Sequence, residues 1–204
     1  MPTKAEQSEA TRAALVGAAE ELFAEHGFAD TPTEALVQAA GVTRGALYHH
    51  FRDKTDLFRA VYEALEQRIV QGVEEAVRGL TDPLAVLRRG AEAFLDACLE
   101  PAVQRIVLLE GPTVLGWEAW HELDMAYGLG MITAVLDVAM QAGVIKKAPV
   151  EPLAHILLGG LNEAAMLMAS SEDPEAARAR TGKALRVVID GLKADTTRPA
   201  GGRR

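Results

Sequence analysis

From Leu57 to Val77 an apolar side chain returns at every fourth position: Leu57, Val61, Leu65, Ile69, Val73 and Val77, with Phe58 widening the stripe. That spacing buries one face of an α-helix, whereas a strand alternates its faces every second residue. The same helical spacing runs through nearly all of the 204 residues, and no convincing strand interrupts it. Alanine is abundant and aromatics are only 5%, a balance that favours helices over sheets. At 49% hydrophobic and 25% charged, the composition is that of a globular chain with a substantial core. The expected class is all-α, with about nine helices.

Start and stop signals divide the chain. Thr3 and Glu6 form a capping box before a helix from Glu6 to His26, which Gly27 ends. Thr31-Pro32-Thr33-Glu34 places a hydroxyl cap, a first-turn proline and an acid before a short helix, Thr33 to Ala40. Gly41 breaks it, and Arg44 to His50 follows. Asp53 to Asp56 opens the long stripe helix, which Gly79 ends after Arg78. Asp82-Pro83 starts a helix through Leu99, and Pro101 and Pro112 bound a short one, Ala102 to Leu109. Trp117 to Ala142 is expected to bend at Gly128 and Gly130, and two more helices start at Pro152 and Pro174, reaching Ala169 and Lys193. Residues 1–55 and 56–193 are expected to be separate domains, with 194–204 a disordered tail. No apolar run is expected to reach the ~18 residues of a membrane span, and Met1 to Gln7 carry no signal-peptide core. The single Cys98 cannot form a disulfide within the chain and fits a reducing cytoplasm.

Two short helices around a tight glycine turn make a helix-turn-helix, whose second helix enters a DNA major groove. Arg44 offers bidentate donors to a guanine edge, and Gly45 and Ala46 let backbone approach a base. Thr43, Tyr48, His49 and His50 suit phosphate oxygens or base edges, while Leu47 and Phe51 face the core. Lys54 stands in the first turn of a helix, where the dipole disfavours a cation, so it is expected to bind a DNA phosphate. Thr33, at the preceding helix start, is a second phosphate candidate.

The run Ala40-Gly41-Val42-Thr43-Arg44-Gly45-Ala46-Leu47-Tyr48-His49-His50-Phe51-Arg52-Asp53-Lys54, with Phe23, Gly27-Phe28 and Leu57, resembles the signature of the TetR family of bacterial transcriptional regulators. The resemblance covers about residues 10–60. Pro32 departs from it, standing where the family often has a hydroxyl residue. Arg105 to Leu109 and Leu115-Gly116-Trp117 also resemble an actinobacterial type of regulatory domain. The resemblance implies a homodimer whose recognition helices enter successive major grooves of a palindromic operator, and a C-terminal domain whose small-molecule effector releases the DNA.

Residues 1–60 hold six Lys and Arg against nine Asp and Glu, and the whole chain has a net charge of −8, so non-specific DNA affinity should be weak. An effector pocket is expected from Phe94, Trp117, Trp120, Met125 and Met131, with His121, Asn162 and Glu163 as polar groups. Ordinary core packing explains each aromatic or methionine equally well. The low charge there points to an apolar or weakly polar effector. Leu153, Ile156, Leu157, Gly160, Leu161 and Leu167, facing Leu185, Val188, Ile189 and Leu192, are the expected dimer seam.

No enzyme constellation competes. Gly128-Leu129-Gly130 lacks a third glycine and a preceding strand, so it is not a dinucleotide loop. His49 and His50 are adjacent and expected on different sides of their helix, which argues against a shared metal. His121 with Glu118 and Glu122 reads as a solvated cluster, and Cys98 as a small buried residue. Neither a cofactor nor a metal is called for. The remaining alternative is a helical small-molecule-binding or activator protein without repressor activity.

Overall fold

A computed structural model describes residues 3–194; the tail beyond Ala194 lies outside the described residues. In order, the elements are α1 (Lys4–Asp30), α2 (Thr33–Ala39), α3 (Arg44–His50), α4 (Lys54–Val77) and α5 (Pro83–Ala97). A π-helical segment (Val103–Glu110) then runs directly into α6 (Gly111–Leu115), followed by α7 (Trp117–Gln141), α8 (Val150–Ala169) and α9 (Pro174–Gly191). Among the described residues the only β pairing is one antiparallel bridge, Ile145 to Lys193, which ties the α7–α8 link to the end of α9.

Side-chain caps account for most helix starts. Thr3 and Glu6 make both halves of the capping box. Thr43 accepts from the Ala46 N–H at 3.2 Å, Asp53 from Asp56 at 2.8 Å and Asp173 from Ala176 at 2.9 Å. The expected Thr31 cap is overturned. Pro32 takes the cap position of α2 without a side-chain bond, and Thr31 is fully buried, donating its hydroxyl to the Gly27 carbonyl at 2.7 Å. The cause is Gly27, whose φ of 83° swings the chain out of the α1 helix and leaves its carbonyl for another donor. The boundary expected at Pro112 also fails, because proline sits in the first turn of α6, where no N–H partner is needed. α7 passes unbroken through Gly128 and Gly130. Gly128 instead lets α8 approach: a Cβ there would stand 2.8 Å from Leu158.

Leu15, Phe23, Leu36, Leu47, Phe51 and Phe58 fill the head, where the rings of Phe23, Phe28 and Phe58 meet at centroid distances of 5.4–5.8 Å. This core continues through α4 and the π segment to Ala165 and Met168, so the head is packed directly on the rest. A second core joins α5, α7, α8 and α9. Asp190 pairs with Arg88 and Glu92 with Arg186, and these contacts pin α9 to α5. By length and mean composition α7 and α8 are apolar enough to cross a membrane, which corrects the expectation of no such stretch. Both pack against neighbouring helices here, with 17% of the apolar stretch of α7 and 33% of that of α8 buried within the chain.

Candidate nucleic-acid interface and interior cavity

Seven residues of α3 divide cleanly by face. Leu47, with Phe51 just beyond the helix, is buried and fixes the helix to the head. Thr43, Arg44, Gly45, Tyr48 and His49 are exposed together, and Ala46 and His50 are half-buried. Arg44 is already positioned: its guanidinium lies 2.9 Å from Glu34 of α2 and 5.6 Å from the centre of the Tyr48 ring. That exposed pair is worth at most about 1 kcal/mol, so Arg44 can leave it for a base at little cost. Thr33, the first residue of α2, is half-buried. The rings of His49 and His50 do not diverge as expected; they meet edge to face at 5.3 Å. No third ligand joins them, and no metal-holding cluster occurs among the described residues. Nothing inside the protein explains Gly45, since a Cβ there would find only the Thr43 hydroxyl, at 3.9 Å.

Lys54 requires a correction. Its ammonium donates to the carbonyls of Phe28 at 2.7 Å and Thr31 at 3.0 Å, and lies 4.2 Å from the centre of the Phe28 ring. It thus satisfies carbonyls left open where α1 ends, which is the favourable place for a cation.

The joint between head and body lies beside Gly27. Glu110, at the end of the π segment, accepts from the Phe28 N–H at 2.8 Å, and Arg105 donates to the Glu25 carbonyl at 3.0 Å. Just beyond, Gly111 is confined: a Cβ would stand 3.0 Å from Trp120, 3.1 Å from Tyr62 and 3.2 Å from the Ile106 carbonyl.

A cavity of about 380 Å³ lies between α4, α5, α7, α8 and α9, within the size range of small-molecule sites. Of the expected lining residues, Phe94 and Met131 are there. Trp117 is corrected: it is 67% exposed and stacks on His121 with rings 5.7 Å apart. Trp120 belongs to the core beneath Gly111, and Met125 and Glu163 also lie off the wall. Asn162 stands behind it, donating to Asp124 at 2.6 Å. Among the residues missed are Glu66, Ile69, Val73 and Glu74 of α4, and Asp124 and Tyr127 of α7. A stripe of period four reads identically whether the opposite helix touches it or leaves a gap, so the sequence carried no signal for the α4 wall.

The wall is apolar except for three carboxylates, Glu66, Glu74 and Asp124, and the Tyr127 hydroxyl. Burial pushes the Glu66 carboxyl up to about 7; the Tyr62 hydroxyl opposes this and the Asp124 charge adds to it. Burial also raises Asp124, with Asn162 opposing. The Cys98 thiol is pushed well above its ordinary range by burial and by these two charges, which makes it a poor nucleophile. The folded chain therefore holds the Glu66 proton more tightly than the unfolded chain. This contribution to stability is complete below about pH 4.5 and lost as pH rises to about 7. It amounts to at most roughly 3 kcal/mol. Thermal melts at about pH 5 and pH 8 should show Glu66→Gln gaining relative to wild type at the higher pH. An equal offset at both would contradict the assignment.

The dimer expectations divide. Leu157, Leu161 and Ile189 are buried within the chain and, with half-buried Leu185, line the cavity, because α8 and α9 turn these residues inward. Leu153 and Leu192 pack on the second core. The outward face instead carries Ile156 (68% exposed), Gly159, Gly160 and Leu167 on α8, beside Ala184, Val187 and Val188 on α9.

Comparison with known proteins places this geometry. Residues 15–61 match the model of bacterial regulatory proteins of the tetR family, and residues 84–192 match a tetracyclin repressor-like C-terminal domain. The crystal structure of a TetR-family transcriptional regulator from Pectobacterium atrosepticum is 35% identical, with a TM-score of 0.83 over 94% of this chain and 98% of that one. The transposon Tn10 TetC protein of Escherichia coli is 26% identical over 76% of this chain and 78% of its own length. The regulator AcrR of Shigella flexneri is 36% identical over 52% of this chain, a match spanning about half (49%) of that relative.

Proposed function

The chain belongs to the TetR family of bacterial regulatory proteins, and from that premise we propose that it is a ligand-responsive repressor acting on DNA in the cytoplasm. Residues 1–55 are the reading head, and residues 56–193 hold the effector and the partner subunit. Thr43, Arg44, Gly45, Ala46, Tyr48, His49 and His50 meet the major groove, with Thr33 on a phosphate. Two heads of a dimer then address half-sites about 34–36 Å apart. The effector occupies the cavity lined by Phe94 and Met131, and Ile156, Gly160, Leu167 and Val188 form the dimer seam.

The observation that carries this reading is α4. Its first residue, Lys54, is bonded to the carbonyls of the head, while its Glu66, Ile69 and Val73 line the cavity. A molecule that fits the cavity better when α4 is displaced from its DNA-compatible position weakens DNA binding by that difference in affinity.

Gly45 supplies the test. With no internal contact to lose, Gly45→Ala should leave thermal stability unchanged or slightly raised. In a gel-shift assay on DNA flanking its own gene, wild type should bind and the variant should bind at least about tenfold more weakly, because the added methyl stands between helix and base edges. No shift with wild type, or equal affinity of the variant, refutes the reading face.

A further inference from the structure

We infer that the effector is an organic cation with an apolar body, its charged head seated between Glu66 and Asp124. This rests on the cavity being the effector site. Its walls, among them Ile69, Val73, Phe94, Met131 and Leu158, accept a hydrocarbon body and contain no lysine or arginine. Three carboxylates nevertheless line the cavity, Glu66 and Glu74 of α4 and Asp124 of α7, and the charge of Asp124 bears on Glu66. Among the described residues Glu66, 6% exposed, has no ion pair, and Asp124 has only the Asn162 amide as a hydrogen-bond partner. Exposed His121, one turn earlier on α7, is the basic group whose charge reaches Asp124. Tyr62 and Trp120, one turn from Glu66 and Asp124 respectively, pack in the core behind the wall.

An uncompensated buried acid costs stability, and such a cost concentrates at functional sites. An ammonium or amidinium entering the cavity would supply the missing counter-charge, and the aromatic rings of Phe94 and Tyr127, which also line it, suit a cation. A carboxylate or phenolate ligand would meet repulsion, and a neutral one would leave the acids as they are. The effector is thereby narrower in chemistry than the weakly polar molecule expected from the sequence.

Three probes sharing a ten-carbon chain separate these cases: decyltrimethylammonium, decanol and decanoate, titrated calorimetrically into the full chain below their micelle concentrations. The ammonium should bind at least about tenfold tighter than the alcohol, and decanoate weakest. Glu66→Gln and Asp124→Asn should each reduce the ammonium toward the alcohol's affinity while decanol binding persists, which also reports an intact cavity. Equal or tighter binding of decanol or decanoate to wild type, no binding by any probe, or a preference that survives both substitutions overturns the inference. Operator release is read separately by gel shift. Preferred ammonium binding without release would count against the repressor and leave the cation site standing.

Discussion

Gly27→Ala is expected to cost on the order of 3 kcal/mol and to lower the melting temperature by roughly 6–12 °C, readable by calorimetry. Two effects combine. At φ 83° and ψ 168° Gly27 occupies backbone space essentially closed to other residues. An added Cβ would also lie 2.5 Å from Glu110 Oε1 and 2.9 Å from Arg105 Nη2, the two groups that hold head to body. The variant must therefore loosen the joint as well as strain the chain. Gly17→Ala is the control: it is helical, a Cβ there meets nothing within 4 Å, and the change should be neutral or stabilising by about 0.5–1 kcal/mol. Equal melting temperatures for the two variants would refute this account of the joint.

Ile156→Glu is expected to convert the dimer to monomers in sedimentation velocity and to lower operator affinity by about a hundredfold or more. The side chain is 68% exposed in the single chain, so the substitution spares the internal core. In the proposed seam it would bury a carboxylate against Leu167, Val187 and Val188 of either subunit, and two such charges would face each other across the symmetry axis. The loss of affinity follows because one head bound to one half-site no longer brings a second. A variant that sediments as wild-type dimer would place the seam elsewhere. Leu161→Glu is not an equivalent test, since Leu161 lines the cavity and its loss would damage the effector site instead.

Features with a local cause are legible in the sequence. Thr3, Asp53 and Asp82 each act within a turn of their own backbone, so spacing identifies them, whereas the cap made by Thr43 was not anticipated. The α3 face is equally local: Leu47 must point inward for the helix to dock, which leaves Arg44 and Tyr48 outward. Side chains that answer something distant in sequence are not legible in this way. Thr31 and Lys54 both look like helix-start devices, yet both serve carbonyls freed at the end of α1, and Lys54 reaches back 26 residues to do so. Trp120 looked like a pocket wall and is the seat against which Gly111 is pressed. Leu161 and Ile156 differ by five positions on one apolar helix, and only the placement of α7 and α9 decides which of them faces inward.

The continuity of α4 makes the molecule a mechanical amplifier. Twelve residues separate Lys54 from Glu66, a lever arm of about 18 Å at 1.5 Å per residue. A pivot of about 5° near the carboxylate, which a guest can impose by shifting its neighbours a few tenths of an ångström, swings the far tip by about 1.5 Å. In the proposed dimer the excursion would double, and the two reading heads would no longer match the helical pitch of the duplex.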